Sequence, residues 1–444
     1  MKKTILGILA LTMVCCTPQR QETQQITITA NDTIGRKMTL VPMGNNSGAA
    51  KMTMEDGAYT ASITTSETGF YNLVSIKGYA QAIIPHYVPV TQGASTSHLT
   101  FGENGTLQLE GSKDNQALAA YTTAYAANSR ALWALREGEA EAARPIIKAF
   151  ITLADSVLGA YRCSKPVKEY IKIWAYINAY DSYTSVPRIT RTKLHDMPYS
   201  VGDLLPEPHT VLDSPLAALF PNTPGIVYST IPNRNNLDSA LIYVTQHYTD
   251  TTLLKKVKDN IAGRYVSRYN YSVDFDKGLE RLQKATEQYG LDPQHATNFA
   301  KHRATVPGQP FPEGIILRDR EGNVVDFSTF RGKYVYIDLW ASWCVPCLRE
   351  VPALQQLEKT LKNKNVTFLS ISIDASEEAW KKKMDEKHMH GHQLWNPDNT
   401  LGKALNVKGI PFFAIYDPAG NLYMHGAPRP SQGPGLVELL EGLK

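Results

Sequence analysis

Cysteine is scarce in this chain of 444 residues, with five in all. Two stand near the N-terminus (Cys15, Cys16), one is alone (Cys163), and two stand close together (Cys344, Cys347). So few, so placed, do not make the disulfide framework that staples a small secreted domain. An excess of charge of one sign is also missing. The formal net charge is +4, and no long basic run is interleaved with aromatics. The lysines of "WKKKMDEKH" (Trp380 to His388) alternate with acids, as on a solvated helix face. Composition therefore gives no ground for a nucleic-acid partner. The apolar run from Ile5 to Val14 is too short for a permanent membrane span. No internal repeat is found. What is present is an ordinary apolar content of 43%, enough for packed cores, and length for two or three domains.

The first residues have the layout of an export signal: Lys2 and Lys3, the apolar run, then Cys15 and Cys16. A cysteine directly behind the apolar core resembles the lipobox of bacterial lipoproteins. That resemblance implies a lipoprotein-type signal over residues 1–16, lipid attached at Cys16, and a protein of the cell envelope or periplasm tethered to a membrane. Cys15 then serves as the small residue before the cut. With Cys15 as acceptor, Val14 takes that place. A plain secretory signal with incidental cysteines is the other reading.

Downstream, three compositions follow one another. Residues 24–111 carry short alternating runs ("ITITA", "MTLVPM", "AYTASI", "FYNLVSIK", "HLTFG", "TLQLEG") parted by Gly, Asn and Asp. They predict a small antiparallel β domain. From Ser112 the period becomes helical, with Leu118, Tyr121, Tyr125, Leu132 and Leu135 on one face. "SKPVKEYIKIWAYINAY" offers Ser164 as N-cap and Pro166 in the first turn. "LDPQHATNFAKHRA" repeats the signal at Asp292 and Pro293, so residues 112–305 read as a helical middle region. "TVPGQPFPEG" is a linker, with three prolines and two glycines. After it, 306–444 reads β-α-β-α-β-β-α: buried strands "YVYIDLW" and "VTFLSISID", then "FFAIYD" and "LYMHG" around the turn "PAGN". A C-terminal α/β domain follows from that order.

Cys344 and Cys347 follow a strand and open a helix. Unpaired N–H groups and the helix dipole favour an anion there, so Cys344 is expected to be an attacking thiolate. Cys347, one turn on, can resolve a mixed disulfide. Asp338 is a carboxylate inside an apolar strand, costly to bury, and is expected to take the proton that Cys347 gives up. An exposed strand end is its bland alternative. Pro411 opens a strand after Gly409 and Ile410; a cis bond there turns the Ile410 backbone toward the cysteines, where it can pair with a substrate peptide.

"WASWCVPC" with "REVP", "GKYVYIDLW" before it and "GIPFFAIYDPAGN" after it resemble the TlpA/ResA-like branch of the thioredoxin superfamily. "FPEGIILRDREGNVVDFSTFRGK" is similar to the N-terminal hairpin of that branch. The resemblance covers about Val306 to Lys444. It implies a thioredoxin fold and dithiol–disulfide exchange outside the cytoplasm without a cofactor. By it Cys344 is the nucleophile, Cys347 the resolving thiol, Pro411 the cis-proline and Trp343 the ring beside the site. Asp338 matches the buried acid, where many relatives have Asn. Glu350 matches an acid of "R-E-x-P", Pro352 the helix proline, and Val345 stands where a second proline is frequent. The implied partners are protein disulfides and a membrane thiol donor. "GSKDNQALAAY" resembles, in addition, the end of small β domains that precede this domain in envelope lipoproteins.

Three rivals stand beside that reading. A zinc site wants four ligands, and the pair gives two; His388, His390 and His392 could add to them but lie in a helix-to-strand connection. A peroxidase wants Thr or Ser three residues before its cysteine, where this chain has Ala341 before Cys344. The N-terminal two-thirds could instead bind a ligand or partner, with the redox domain accessory to it.

Overall fold

In the computed structural model, residues 23–30, 36–44, 49–64, 69–77, 80–88, 94–101, 107–269 and 274–444 are described. Cys15 and Cys16 lie outside them. The chain divides into two compact units between Asn260 and Ile261.

The first unit begins with the strands β1 (Thr23–Ala30), β2 (Lys37–Pro42), β3 (Ala50–Lys51), β4 (Thr53–Glu55), β5 (Ala58–Thr64), β6 (Phe70–Lys77), β7 (Ala80–Tyr87), β8 (Ala94–Phe101) and β9 (Leu107–Glu110). They form a five-stranded sheet, β4-β5-β1-β8-β9, and a four-stranded one, β3-β2-β6-β7. The alternation of the sequence is what places Ile26, Ile28, Leu40, Tyr59, Leu73 and Leu99 in one apolar cluster shared by both sheets. One pairing differs from a purely antiparallel domain: β1 and β8 run parallel, with the intervening strands as the crossover. The strand β7 escaped the sequence reading because Pro85 interrupts its pattern; it is an edge strand, where proline is tolerated.

Seven helices follow: α1 (Lys113–Trp133), α2 (Ala143–Ala160), α3 (Lys165–Ile189), α4 (Pro208–Leu212), α5 (Thr223–Thr230), α6 (Leu237–His247) and α7 (Thr251–Ser267), the last crossing the division of the chain. Ser112 caps α1, its hydroxyl accepting the Asn115 N–H at 3.2 Å. Ser164 sits at the N-cap of α3 without a side-chain cap bond; its own N–H donates to Asp114 Oδ1 at 2.6 Å instead. Tyr170 of α3 stacks on Phe70 of β6 at 4.4 Å between ring centroids.

After the end of α7, the second unit continues with α8 (Phe275–Tyr289) and α9 (Gln294–Ala300). Its sheet contains β10 (Tyr334–Trp340), β11 (Val366–Ser372), β12 (His392–Trp395), β13 (Phe412–Tyr416) and β14 (Leu422–His425), in the order β12-β11-β10-β13-β14. The first three are parallel; β13 and β14 run antiparallel to their neighbours. Helices α10 (Val345–Thr360), α11 (Glu377–Glu386), α12 (Thr400–Ala404) and α13 (Pro434–Glu441) complete it. Strand β12 and helix α12 are too short to leave a period in the sequence. Alternation along β10 sends Val335, Ile337 and Leu339 into one core. Tyr336 goes into a second core, with Leu354 and Leu357 of α10 and Leu436 and Leu440 of α13. Trp340, on the same face as Tyr336, enters a third cluster with Trp380, Met384 and both cysteines. This is the thioredoxin arrangement: a central β-sheet with helices packed on it.

Candidate functional site

The site stands where β10 ends and α10 begins. Cys344 is the N-cap of α10, and Pro346 occupies its first turn, where a missing N–H costs nothing. Cys344 and Cys347 are both buried and joined in a disulfide, with their Cα atoms 5.3 Å apart. The Cys347 N–H donates to Cys344 Sγ at 3.2 Å. That donor, at the positive end of the α10 dipole, is placed to hold an anion on Cys344 Sγ. Pro352, inside α10, removes one N–H from the helix ladder.

Exposed apolar side chains flank this buried pair. Trp343 is 67% exposed and Val345 is 57% exposed. Ile410 packs against the cysteine cluster from the start of β13, and the Ile410–Pro411 peptide is cis. The surface around Cys344 is therefore apolar.

Asp338 lies on the β10 face that carries Tyr336 and Trp340, toward α10. It is buried, which answers the question the sequence left open about an exposed strand end. Burial and then the charge of Glu350 push its carboxyl up to about 7, against the weaker opposing pull of the Ser370 hydroxyl. Glu350, one turn beyond Cys347, is also buried and accepts the N–H and hydroxyl of Ser431 at 2.9 and 2.8 Å. Two buried acids thus stand near enough for the charge of Glu350 to act on Asp338.

Asp374 is the residue that reading the sequence missed. Its carboxylate accepts both the N–H and the hydroxyl of Ser342, two residues before Cys344, at 2.8 and 2.7 Å. Its signal was an acid at the end of the apolar run "SISID", but only the parallel pairing of β10 and β11 puts it beside the cysteine loop.

The histidine tract runs through the connection from α11 into β12. His388 is just past α11 with positive φ, and His392 opens β12. His390 and His392 line a small pocket with Gln355, Glu358 and Gln393, on the side of α10 that carries Leu354. Among the described residues, no three His, Cys, Asp or Glu side chains are grouped to hold a metal. Cys163 is a buried free thiol in the first unit. No described helix is long and apolar enough to cross a membrane.

The Redoxin family model matches residues 306–430. Thiol-disulfide oxidoreductase ResA of Bacillus cereus is 30% identical over 124 residues, which cover 28% of this chain and 71% of that protein. ResA of Bacillus subtilis is 24% identical, over 28% of this chain and 69% of its own. A solved thioredoxin domain of a thiol-disulfide oxidoreductase from Bacteroides vulgatus is 29% identical, with 31% of this chain and 96% of that one covered and a TM-score of 0.28. Through its C-terminal third, this chain belongs to the ResA-like thiol-disulfide oxidoreductases of the thioredoxin superfamily.

Proposed function

We propose that this enzyme reduces protein disulfides in the cell envelope through Cys344 and Cys347. One observation carries the assignment of the pair: a disulfide at a helix start, with a backbone donor on Cys344 Sγ and exposed apolar side chains around it. In the proposed cycle, a membrane thiol donor first reduces the pair. The Cys344 thiolate attacks one sulfur of the substrate disulfide; that S–S bond breaks and the other substrate sulfur leaves as a thiolate, which takes a proton from water. Cys347 gives its proton to Asp338 and attacks Cys344 Sγ, releasing the second substrate thiol. The substrate gains two electrons and the pair returns to the disulfide. Trp343, Val345 and the Ile410 backbone hold the substrate segment, with Pro411 shaping the approach.

The envelope address and the lipid at Cys16 rest on the leader sequence. Residues 24–111 and 112–305 are proposed as the β domain and helical region that precede the redox domain, 306–444. Cys344→Ser should abolish turnover, whereas Cys347→Ser should accumulate a mixed disulfide with substrate, read by mass spectrometry of thiol-blocked extracts. Absence of any adduct on the second variant counts against this mechanism. Direction is read from the reduction potential in defined thiol buffers. A value near about −270 mV fits a reductase; one near about −120 mV makes the same dithiol an oxidant or isomerase.

A further inference from the structure

The connection from β10 to α10 is only Ala341, Ser342 and Trp343 before the N-cap Cys344. Its outer turn is closed by the Cys344 N–H on the Ala341 carbonyl at 3.0 Å. Ala341 packs in the cluster of Trp340, Trp380 and the cysteines, and further hydrogen bonds come from the segment beyond β11. The Ile373 N–H continues the ladder onto the Trp340 carbonyl at 2.9 Å. Asp374 then takes both donors of Ser342, one on each carboxylate oxygen.

Asp374 is itself held on every side. It is 2% exposed. The Ser372 hydroxyl donates to Oδ2 at 2.8 Å, and the Asp374 N–H donates back to that hydroxyl oxygen at 3.0 Å. The Trp395 indole N–H donates to its carbonyl at 2.7 Å. Trp395 packs against the cluster formed by Trp340, Trp380, Met384 and the two cysteines. The three donors on the carboxyl group are all neutral, and a buried polar group met by directional bonds on both oxygens is an expensive way merely to fill space. Two bonds to one residue fix a loop in orientation as well as in position.

We propose that Asp374 is a positioning residue for the dithiol: through Ser342 it sets where Cys344 Sγ and the Trp343 ring stand for attack on a substrate disulfide. Asp374 touches neither sulfur; it acts through the loop. The inference rests on Cys344 being the attacking thiol.

The test uses the full chain, reduced, with 5,5′-dithiobis(2-nitrobenzoate) as the probe disulfide. The rate of the first exchange is read per folded molecule, together with the reduction potential and the redox-linked tryptophan fluorescence. Asp374→Ala is expected to slow the exchange about tenfold or more, since small misplacement of a reacting atom is costly. Ser342→Ala, which keeps the backbone bond, is expected to slow it roughly threefold. Adding Ser342→Ala to Asp374→Ala should cost nothing further, because both act through one contact. Asp374→Asn, which retains an acceptor, should recover part of the rate. A fall in melting temperature with unchanged exchange rate, potential and fluorescence would overturn the inference and leave Asp374 a purely structural residue. Should Asp374→Ala fail to fold, a Ser342→Ala rate equal to wild type overturns it equally. A wild-type protein whose Cys344 does not react overturns the dithiol reading and this inference together; a reactive wild type matched by the variants overturns only this one.

Discussion

At the scale of single residues, Asp338 connects chemistry to stability. Its folded value, about 7, stands above the ordinary 3.8. Between those values the folded protein keeps a proton that the unfolded chain has lost. Asp338 therefore makes the fold less stable as pH rises from about 4 to about 7, by about 1.4 kcal/mol per pH unit at most. Asp338→Asn removes this dependence. The variant's advantage over wild type in chemical unfolding should be near zero at pH 4 and grow to a few kcal/mol at pH 8. A constant difference across that range would show that Asp338 is charged throughout. The same substitution should slow the second exchange, attack by Cys347, more than the first; equal slowing removes the proton-acceptor role. Glu350 tunes this acid. Because its charge helps hold the Asp338 proton, Glu350→Gln should move the pH midpoint of the second step down, as read by rapid-mixing kinetics.

At the scale of elements, Asn115 supplies the hydrogen bonds that tie α1 to the end of β7. Asn115 accepts the Tyr87 N–H at 2.8 Å and donates to the Tyr87 carbonyl at 3.1 Å. Its amide also lies 3.3 Å from His86 Nε2. β7 is an edge strand, so at its end the ladder of its own sheet offers no second partner. Asn115→Ala would leave both Tyr87 groups buried and unpaired, at about 1–3 kcal/mol each. We expect it to destabilise the β-rich unit by roughly 2–5 kcal/mol in denaturant titration, with little effect on Cys344 alkylation. A loss below about 1 kcal/mol would mean that water replaces the amide. "GSKDNQALAAY" is thus a structural junction: Ser112 starts the helix and Asn115 ties it to the sheet.

For the whole molecule, the two compact units carry titratable groups of opposite sign. His86 is buried in the first unit, and burial holds its imidazole down at about 4, below the usual 6.5. The unfolded chain binds the proton first. The stability contributed by neutral His86 is therefore complete above about 6.5 and is lost as pH falls toward 4, on the order of 3 kcal/mol in all. Asp338, in the other unit, favours the fold as pH falls through the same window. In the second unit His302 and His425 are also held down by burial and oppose it. Hydrogen-exchange mass spectrometry of the full chain at pH 6.5 and 4.5, corrected for intrinsic rates, should show β6 and β7 losing protection on acidification. Unchanged protection there would rule out His86 as the acid-labile point.

The sequence by itself determined the local pieces: alternating runs for strands, capped apolar stripes for helices, and the paired cysteines at a strand-to-helix start. Those depend on periods and caps that short stretches carry whole. It also singled out Asp338, since a charge inside an apolar run is visible without a fold. Tertiary structure decided what pairing decides. β1 lies parallel to β8, and Pro85 is tolerated because its strand is at an edge. Glu350 is brought near enough to Asp338 for its charge to act there. Asp374 meets Ser342, 32 positions away, only because β10 and β11 run side by side. Hydrogen bonds between residues far apart in the chain leave no periodicity behind. The residues that hold the cysteine loop were therefore hidden in the sequence, while the cysteines themselves were plain.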